Sequence, residues 1–374
     1  MKLTKTVPLS SPFIEQDDID AVVSVLKGRW LSFGPKLTEF ETELARYTGT
    51  RYAVAMNSGT SALHLAVKAL GIGPGDEVIT PSFTFAASAN CAVYEGATPI
   101  FVDIQRDTYN IDPKLVEQAI TPRTKAIVAV DIFGRPADKD ALLAIAHKHN
   151  IALIEDAAEA LGTEYHGKKA GSFGSCGIFA FYPNKQITTG EGGALVTNDE
   201  RIAALARSYR NQGRGEKEHW HEHLRIGYNY RISDINCALG LSQLHKIERI
   251  LQLREKVAEA YTKRLEEIPG VTVPIMRMHN QRITWFVYVI EVDNRDGVMA
   301  TLQARGVQCS AYFQPVHLQP CYRERGHSKG ELPITELVSS RTLALPFHTT
   351  LHTDDIAYVC TQLADVLKQT GENT

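Results

Sequence analysis

Residues 179–196 read "FAFYPNKQITTGEGGALV": an apolar run, a lysine at position 185, a glycine-rich turn and a second apolar run. One lysine carries no information in a chain with 40 lysines and arginines, since nearly all such side chains lie solvated on the surface. The neighbours are what matter. "GIFAF" (177–181) and "GALVTN" (193–198) are short, apolar and bounded by glycine, as buried strands are, so Lys185 falls on a connection within a sheet.

Five more such runs precede them: "YAVAM" (52–56), "EVIT" (77–80), "TPIFVD" (98–103), "KAIVAV" (125–130) and "IALIED" (151–156). Between them lie "SALHLAVKAL", "AASANCAVYEG", "PKLVEQAI" and "KDALLAIAHKHN", whose apolar residues recur three and four apart as in amphipathic helices. Alternation of this kind predicts an α/β fold, a seven-stranded sheet with helices on both faces. A long helical stretch, "ISDINCALGLSQLHKIERILQLREKVAEAYTKRLEEIPG", follows and stops at Pro269-Gly270. After it, "TWFVYVIEV" (284–292), a helix near 296–305 and a terminal helix from about 353 read as a smaller α+β domain. The expected division is a large domain over 1–248 and a small one over 249–374. No internal repeat, low-complexity segment or long linker separates them.

The 374 residues carry a net charge of -3, so nothing suggests a surface that neutralises nucleic-acid phosphates. Six cysteines, Cys91, Cys176, Cys237, Cys309, Cys321 and Cys360, are scattered without C-x-x-C spacing, which indicates neither zinc nor a disulfide framework. The N-terminal "MKLTKTVPLSSPFIEQDD" lacks a signal peptide's apolar stretch, and no run approaches a membrane span. The expectation is a soluble, cytoplasmic protein. In "EHWHEHLR" (218–225), His219, His221 and His223 alternate and on a strand would point one way, but no other ligand cluster supports a metal. That run reads as a polar loop, and no metal is expected.

Two stretches give Lys185 its company. "NSGTSALHLAV" (57–67) ends a strand and opens a helix, so Gly59, Thr60 and Ser61 supply the unpaired amides and dipole that hold a phosphate; Ser58 or Ser61 is alternatively a plain N-cap. "IALIEDAAEALG" (151–162) ends a strand in Glu155-Asp156, where open α/β sheets bind ligands, although Asp156 also suits a helix N-cap. Lysine, acid and phosphate cup together fit pyridoxal phosphate. That cofactor needs an amine to hold it covalently, an acid to keep its pyridine nitrogen protonated, and an anchor for its phosphate.

In order along the chain, "NSGTSALHLA", "TFAASAN", "EDAAEALG", "FYPNKQITTGEGGALV" and "GYNYRISDINCALGLSQL" resemble the DegT family of sugar aminotransferases, fold type I pyridoxal-phosphate enzymes. "EDAAEALG" is similar to perosamine-synthase-like members. The resemblance runs from near residue 8 to "ALPFH" at 344–348. It implies Lys185 as the cofactor-holding lysine and acid/base, Asp156 as the partner of the pyridine nitrogen, and Phe85 as the aromatic stacked on the ring. Without it, Phe85 would read as helix core. Glu159 stands where the family often has glutamine on the ring hydroxyl. Ala180 stands where many relatives have a serine on the phosphate. Asn229 matches a residue that reaches the phosphate of a neighbouring subunit, implying a homodimer with shared active sites; alone it reads as a turn residue.

For substrates the resemblance implies Tyr182 and Asn184 beside the lysine, Arg231 on the carboxylate of an amino-acid donor or else bracing the following helix, and His317 facing the site or else stabilising a turn. "ITTGEGG" (187–193) resembles members that aminate a 4-keto sugar. The implied reaction is transamination of a nucleotide-linked keto sugar, most simply a 4-keto-6-deoxyhexose, with L-glutamate as donor, in amino-sugar and polysaccharide biosynthesis. The rivals are a 3-keto-sugar aminotransferase, a sugar dehydratase, against which Lys185 argues because histidine replaces it there, and a non-catalytic cofactor-binding regulator. A nucleic-acid-binding module has no support in the sequence.

Overall fold

The computed structural model describes residues 5–215 and 222–371. All seven expected strands form one sheet: β1 (Tyr52–Met56), β2 (Glu77–Pro81), β3 (Thr98–Val102), β4 (Thr124–Val130), β5 (Ala152–Asp156), β6 (Cys176–Ala180) and β7 (Gly193–Thr197). Their spatial order is β1-β7-β6-β5-β4-β2-β3, with β7 antiparallel to both neighbours and the other pairs parallel. Parallel strands covered on both faces need apolar residues at every position, which is why these runs do not alternate in polarity. Yet the two faces are distinct. Val128 packs with the helices Gly59–Ala69 and Ala87–Tyr94, whereas its neighbours Ile127 and Ala129 pack against Leu142 and Ile145 of Lys139–His149.

Helix starts are written in side chains that accept the orphan amides of a first turn. Ser58, Asp112, Asp138, Asp199 and Ser233 all cap in this way. The expected long helix is two, Asp234–His245 and Ile247–Leu265, broken at Lys246 (φ -110°, ψ 16°). The Lys246 ammonium there joins Asp17 and Asp18, both at 2.7 Å, and so ties the break to the first helix.

C-terminal to it, β8 (Val271–Thr272), β9 (Tyr288–Val292) and β10 (Thr342–Leu345) make an antiparallel sheet covered by the helices Arg295–Ala304 and Thr353–Gly371. A second core of Tyr288, Ile290, Leu302, Leu343, Leu363 and their neighbours lies between them, and Val7 from the N-terminal segment packs into it.

Beneath the sheet, Lys139 is fully buried, 2.6 Å from Asp131 and 3.1 Å from Glu155. Burial raises Asp131 to about 6 even with that ammonium beside it. Lys139→Met should cost about 3–5 kcal/mol, because it strands buried carboxyls. Without Lys139 the Asp131 carboxyl climbs further above its unfolded value of 3.8, so the variant's deficit should grow as pH rises and shrink toward pH 5, as urea melts across that range would record.

Candidate active site

The carboxyl ends of β4 and β5 open into a cleft of about 450 Å³. Gly59, Thr60, Phe85, Asp156, Glu159, Ala180, Tyr182, Asn184 and Lys185 all line it. So do residues the sequence reading did not single out, Phe286, Tyr312 and Phe313, from the C-terminal part of the chain.

Lys185 sits on a turn closed by its own amide, which donates to the Tyr182 carbonyl at 2.9 Å. Its Nζ lies 3.8 Å from the centre of the Phe286 ring and 3.4 Å from Glu159 Oε1. The Glu159 Oε2 accepts from the Phe133 amide at 2.9 Å. Burial raises the Glu159 pKa, with the Lys185 charge pulling the other way. A carboxylate in the position of the expected glutamine thus has two donors of its own.

Asp156 ends β5 with its carboxyl buried. Ser88 Oγ donates to its Oδ2 at 2.6 Å, and the Ala158 amide to its Oδ1 at 3.2 Å. Burial raises its pKa, against those donors and the nearby positive charges. No helix starts there, so the capping alternative does not apply. Ser88 lies within "TFAASAN", where nothing but its place in the motif sets it apart from its small neighbours.

The helix Gly59–Ala69 points its N-terminus into the cleft. Ser58 is the cap, accepting from the Ser61 amide at 3.1 Å, and the Ser61 hydroxyl is spent on Asn57 Oδ1 at 2.6 Å. Ser61 therefore lies behind the cleft surface, while the Gly59 and Thr60 amides have no intrahelical acceptor. A Cβ at Gly59 would meet the Ala180 Cβ at 2.8 Å, so the glycine keeps the helix start pressed against the end of β6. Phe85 is 64% exposed; its ring is not helix core but part of the cleft wall.

The other predicted residues lie apart. Asn229 is exposed, follows Tyr228 and precedes Tyr230, whose rings stack on each other, and makes a backbone bridge to Asn211. Arg231 donates to Asn211 Oδ1 at 3.2 Å. His317 is fully buried, its Nδ1 2.7 Å from Ser82 Oγ and its Nε2 3.2 Å from Glu336. It braces the loop that leads to Phe85 and does not line the cleft. His219 and His221 lie outside the described residues. His223 is exposed and meets the Gln212 carbonyl, and no group of His, Cys, Asp and Glu among the described residues is arranged to hold a metal.

A buried acid, a lysine amine and a helix start with unpaired amides, brought into one cleft, fit one prosthetic group. The class that combines them at the carboxyl end of such a sheet is that of pyridoxal-phosphate-dependent transferases. The chain belongs to the DegT/DnrJ/EryC1/StrS aminotransferase family, which it matches over residues 12–364. It is 40% identical to the GDP-perosamine synthase of Caulobacter vibrioides over 96% of this chain and 98% of that one. It is 38% identical to the UDP-2-acetamido-2-deoxy-3-oxo-D-glucuronate aminotransferase of Pseudomonas aeruginosa, over 94% and 96%. Among solved structures, DesV of S. venezuelae superposes with a TM-score of 0.91 at 35% identity, covering 97% of this chain and 98% of that one. The protein is an aminotransferase acting on nucleotide-linked keto sugars, with pyridoxal phosphate as cofactor. Among the described residues no helix is long and apolar enough to cross a membrane.

Proposed function

We propose that the protein transfers the amino group of L-glutamate to the C4 carbonyl of a nucleotide-linked 4-keto-6-deoxyhexose, with Lys185 as the acid/base. The meeting of Lys185, Asp156 and the Gly59–Thr60 helix start in one cleft carries this reading. When bound, pyridoxal phosphate supplies an electron sink that lets a proton leave or join a carbon bearing the transferred nitrogen. Asp156 would hold the pyridine nitrogen protonated, the Gly59 and Thr60 amides would take the phosphate, and Phe85 would cover a ring face.

Lys185 does the proton work. Its amine takes the Cα proton of glutamate in the first half-reaction, where water supplies the carbonyl oxygen of 2-oxoglutarate and the nitrogen stays with the cofactor, and returns a proton to the sugar carbon in the second, whose carbonyl oxygen leaves as water. Glu159 and the Phe286 ring both contact that amine in the cleft. Asn184 lines the cleft and Tyr182 stands half-exposed beside it, where both would meet the sugar.

The C4 choice rests on the "ITTGEGG" segment, which brings Glu191 and Gly192 to the cleft wall, and on the likeness to GDP-perosamine synthase. The 3-oxo-glucuronate aminotransferase relative keeps a C3 carbonyl as the second reading. The exposed Asn229 suits a homodimer in which each subunit reaches the other's phosphate, with Arg231 next to it on the donor carboxylate. Six unpaired cysteines suit the cytoplasm.

A visible band formed with pyridoxal phosphate should be bleached by L-glutamate and restored by 4-keto but not 3-keto nucleotide sugars. Restoration by 3-keto sugars alone moves the reaction to C3; a band that glutamate leaves untouched removes glutamate as donor. Gly59→Ala, which drives a methyl against Ala180, should weaken cofactor binding about tenfold, or about 1.4 kcal/mol, in an absorbance titration.

A further inference from the structure

Arg254 lies where the helix Ile247–Leu265 passes from one core to the other. Before it, Ile247, Ile250 and Leu251 pack with the large sheet; after it, Val257, Ala258 and Tyr261 pack in the small core. Arg254 is 3% exposed, and burial pushes its pKa down, to about 10, with no ion pair to a carboxylate among the described residues to offset the charge. Its face lies 5.6 Å from the Phe347 ring, and its Nε has no partner. An unpaired buried charge is an expensive thing for a fold to keep.

What it holds explains why it is kept. Nη2 donates to the carbonyls of Lys185 at 2.9 Å and Asn184 at 3.5 Å. Nη1 donates to the carbonyls of Trp285 and Phe286, each at 3.2 Å. One nitrogen grips the turn that carries the reactive amine, and the other grips the segment whose phenyl ring lies beneath that amine. A planar fork with fixed donor directions can span both walls, and a lysine ammonium, a point charge on a flexible stem, cannot.

We propose that Arg254 is a positioning residue for Lys185: its guanidinium pins the backbone of the lysine turn to that of Phe286, fixing Nζ over the cleft. This rests on the reading of Lys185 as the reactive amine.

Arg254→Met and Arg254→Lys test it. Met fills similar volume and removes the costly charge but leaves four carbonyls without their donor, so melting of the cofactor-free protein should fall modestly while the fold persists. Hydrogen exchange of the Lys185 amide, followed on the peptide spanning 182–188 without cofactor, should rise about tenfold or more in both variants as the turn loosens. With cofactor, kcat should fall on the order of 10²-fold, the effect of misplacing a reacting group by about an ångström, with KM for the sugar little changed. The lysine variant should recover only a small part. If the Met variant does not fold, the Lys variant carries the same readouts. Folded variants with wild-type exchange, or with raised exchange and wild-type kcat, overturn the positioning role. A wild-type control that forms no cofactor band overturns instead the reading of Lys185 on which the role depends.

Discussion

Lys185→Ala is expected to lower amino transfer by about 10⁴-fold or more, the upper range for a lost proton-transfer group, while leaving the fold intact. The side chain is only partly buried, and its backbone contacts to Tyr182 and Arg254 survive the change. Both half-reactions should suffer together, since one amine moves both protons. The variant should also carry a pH signature. The Glu159 pKa in the fold already lies above its ordinary value of 4.5 because of burial, and the Lys185 charge restrains it. A carboxyl raised in the folded state costs stability as pH climbs from its unfolded toward its folded value. Removing the lysine extends that window upward, so the melting temperature of cofactor-free Lys185→Ala should match wild type near pH 5 and fall below it near pH 8. Parallel melts at the two pH values suffice, and equal deficits at both would mean that the 3.4 Å contact has no electrostatic weight.

Asp156→Asn separates binding charge from fold. Turnover should fall on the order of 10³-fold, the scale set by loss of one preorganised electrostatic partner in a water-excluded site. Stability of the cofactor-free protein should hold or rise, because burial makes ionised Asp156 a liability until a cation meets it, and Ser88 can still hydrogen-bond the amide. Steady-state kinetics and a cofactor-free melt of the same preparation read both effects. A variant that loses stability and activity together would make Asp156 a structural carboxylate.

Much of this was legible in the chain because local and global preferences agree. The strands of the large sheet are covered on both faces, so each is a short apolar run bounded by turns, and all seven could be placed from sequence. Asp156 and Lys185 could be placed from sequence because one ends such a run and the other lies a few residues past one, at the edge where parallel sheets bind ligands. Residues that reach the cleft from far along the chain were not. Phe286 lies within "TWFVYVIEV", which reads only as a strand, and Tyr312 and Phe313 carry no periodic signal. Arg254 sits in an ordinary amphipathic helix, and nothing in its spacing reveals that it faces four carbonyls. The break at Lys246 has no local signal, because what favours it is a contact with Asp17 and Asp18, more than two hundred residues earlier. His317, Asn229 and Arg231 show the converse: the motif gives the residue, but where it points is decided by tertiary packing.

The most direct test is chemical. Protein incubated with pyridoxal phosphate, reduced with borohydride and mapped by peptide mass spectrometry should carry one phosphopyridoxyl group, on Lys185. Its appearance on a different lysine, or on none, would contradict the assignment of this cleft as the place where amino transfer occurs.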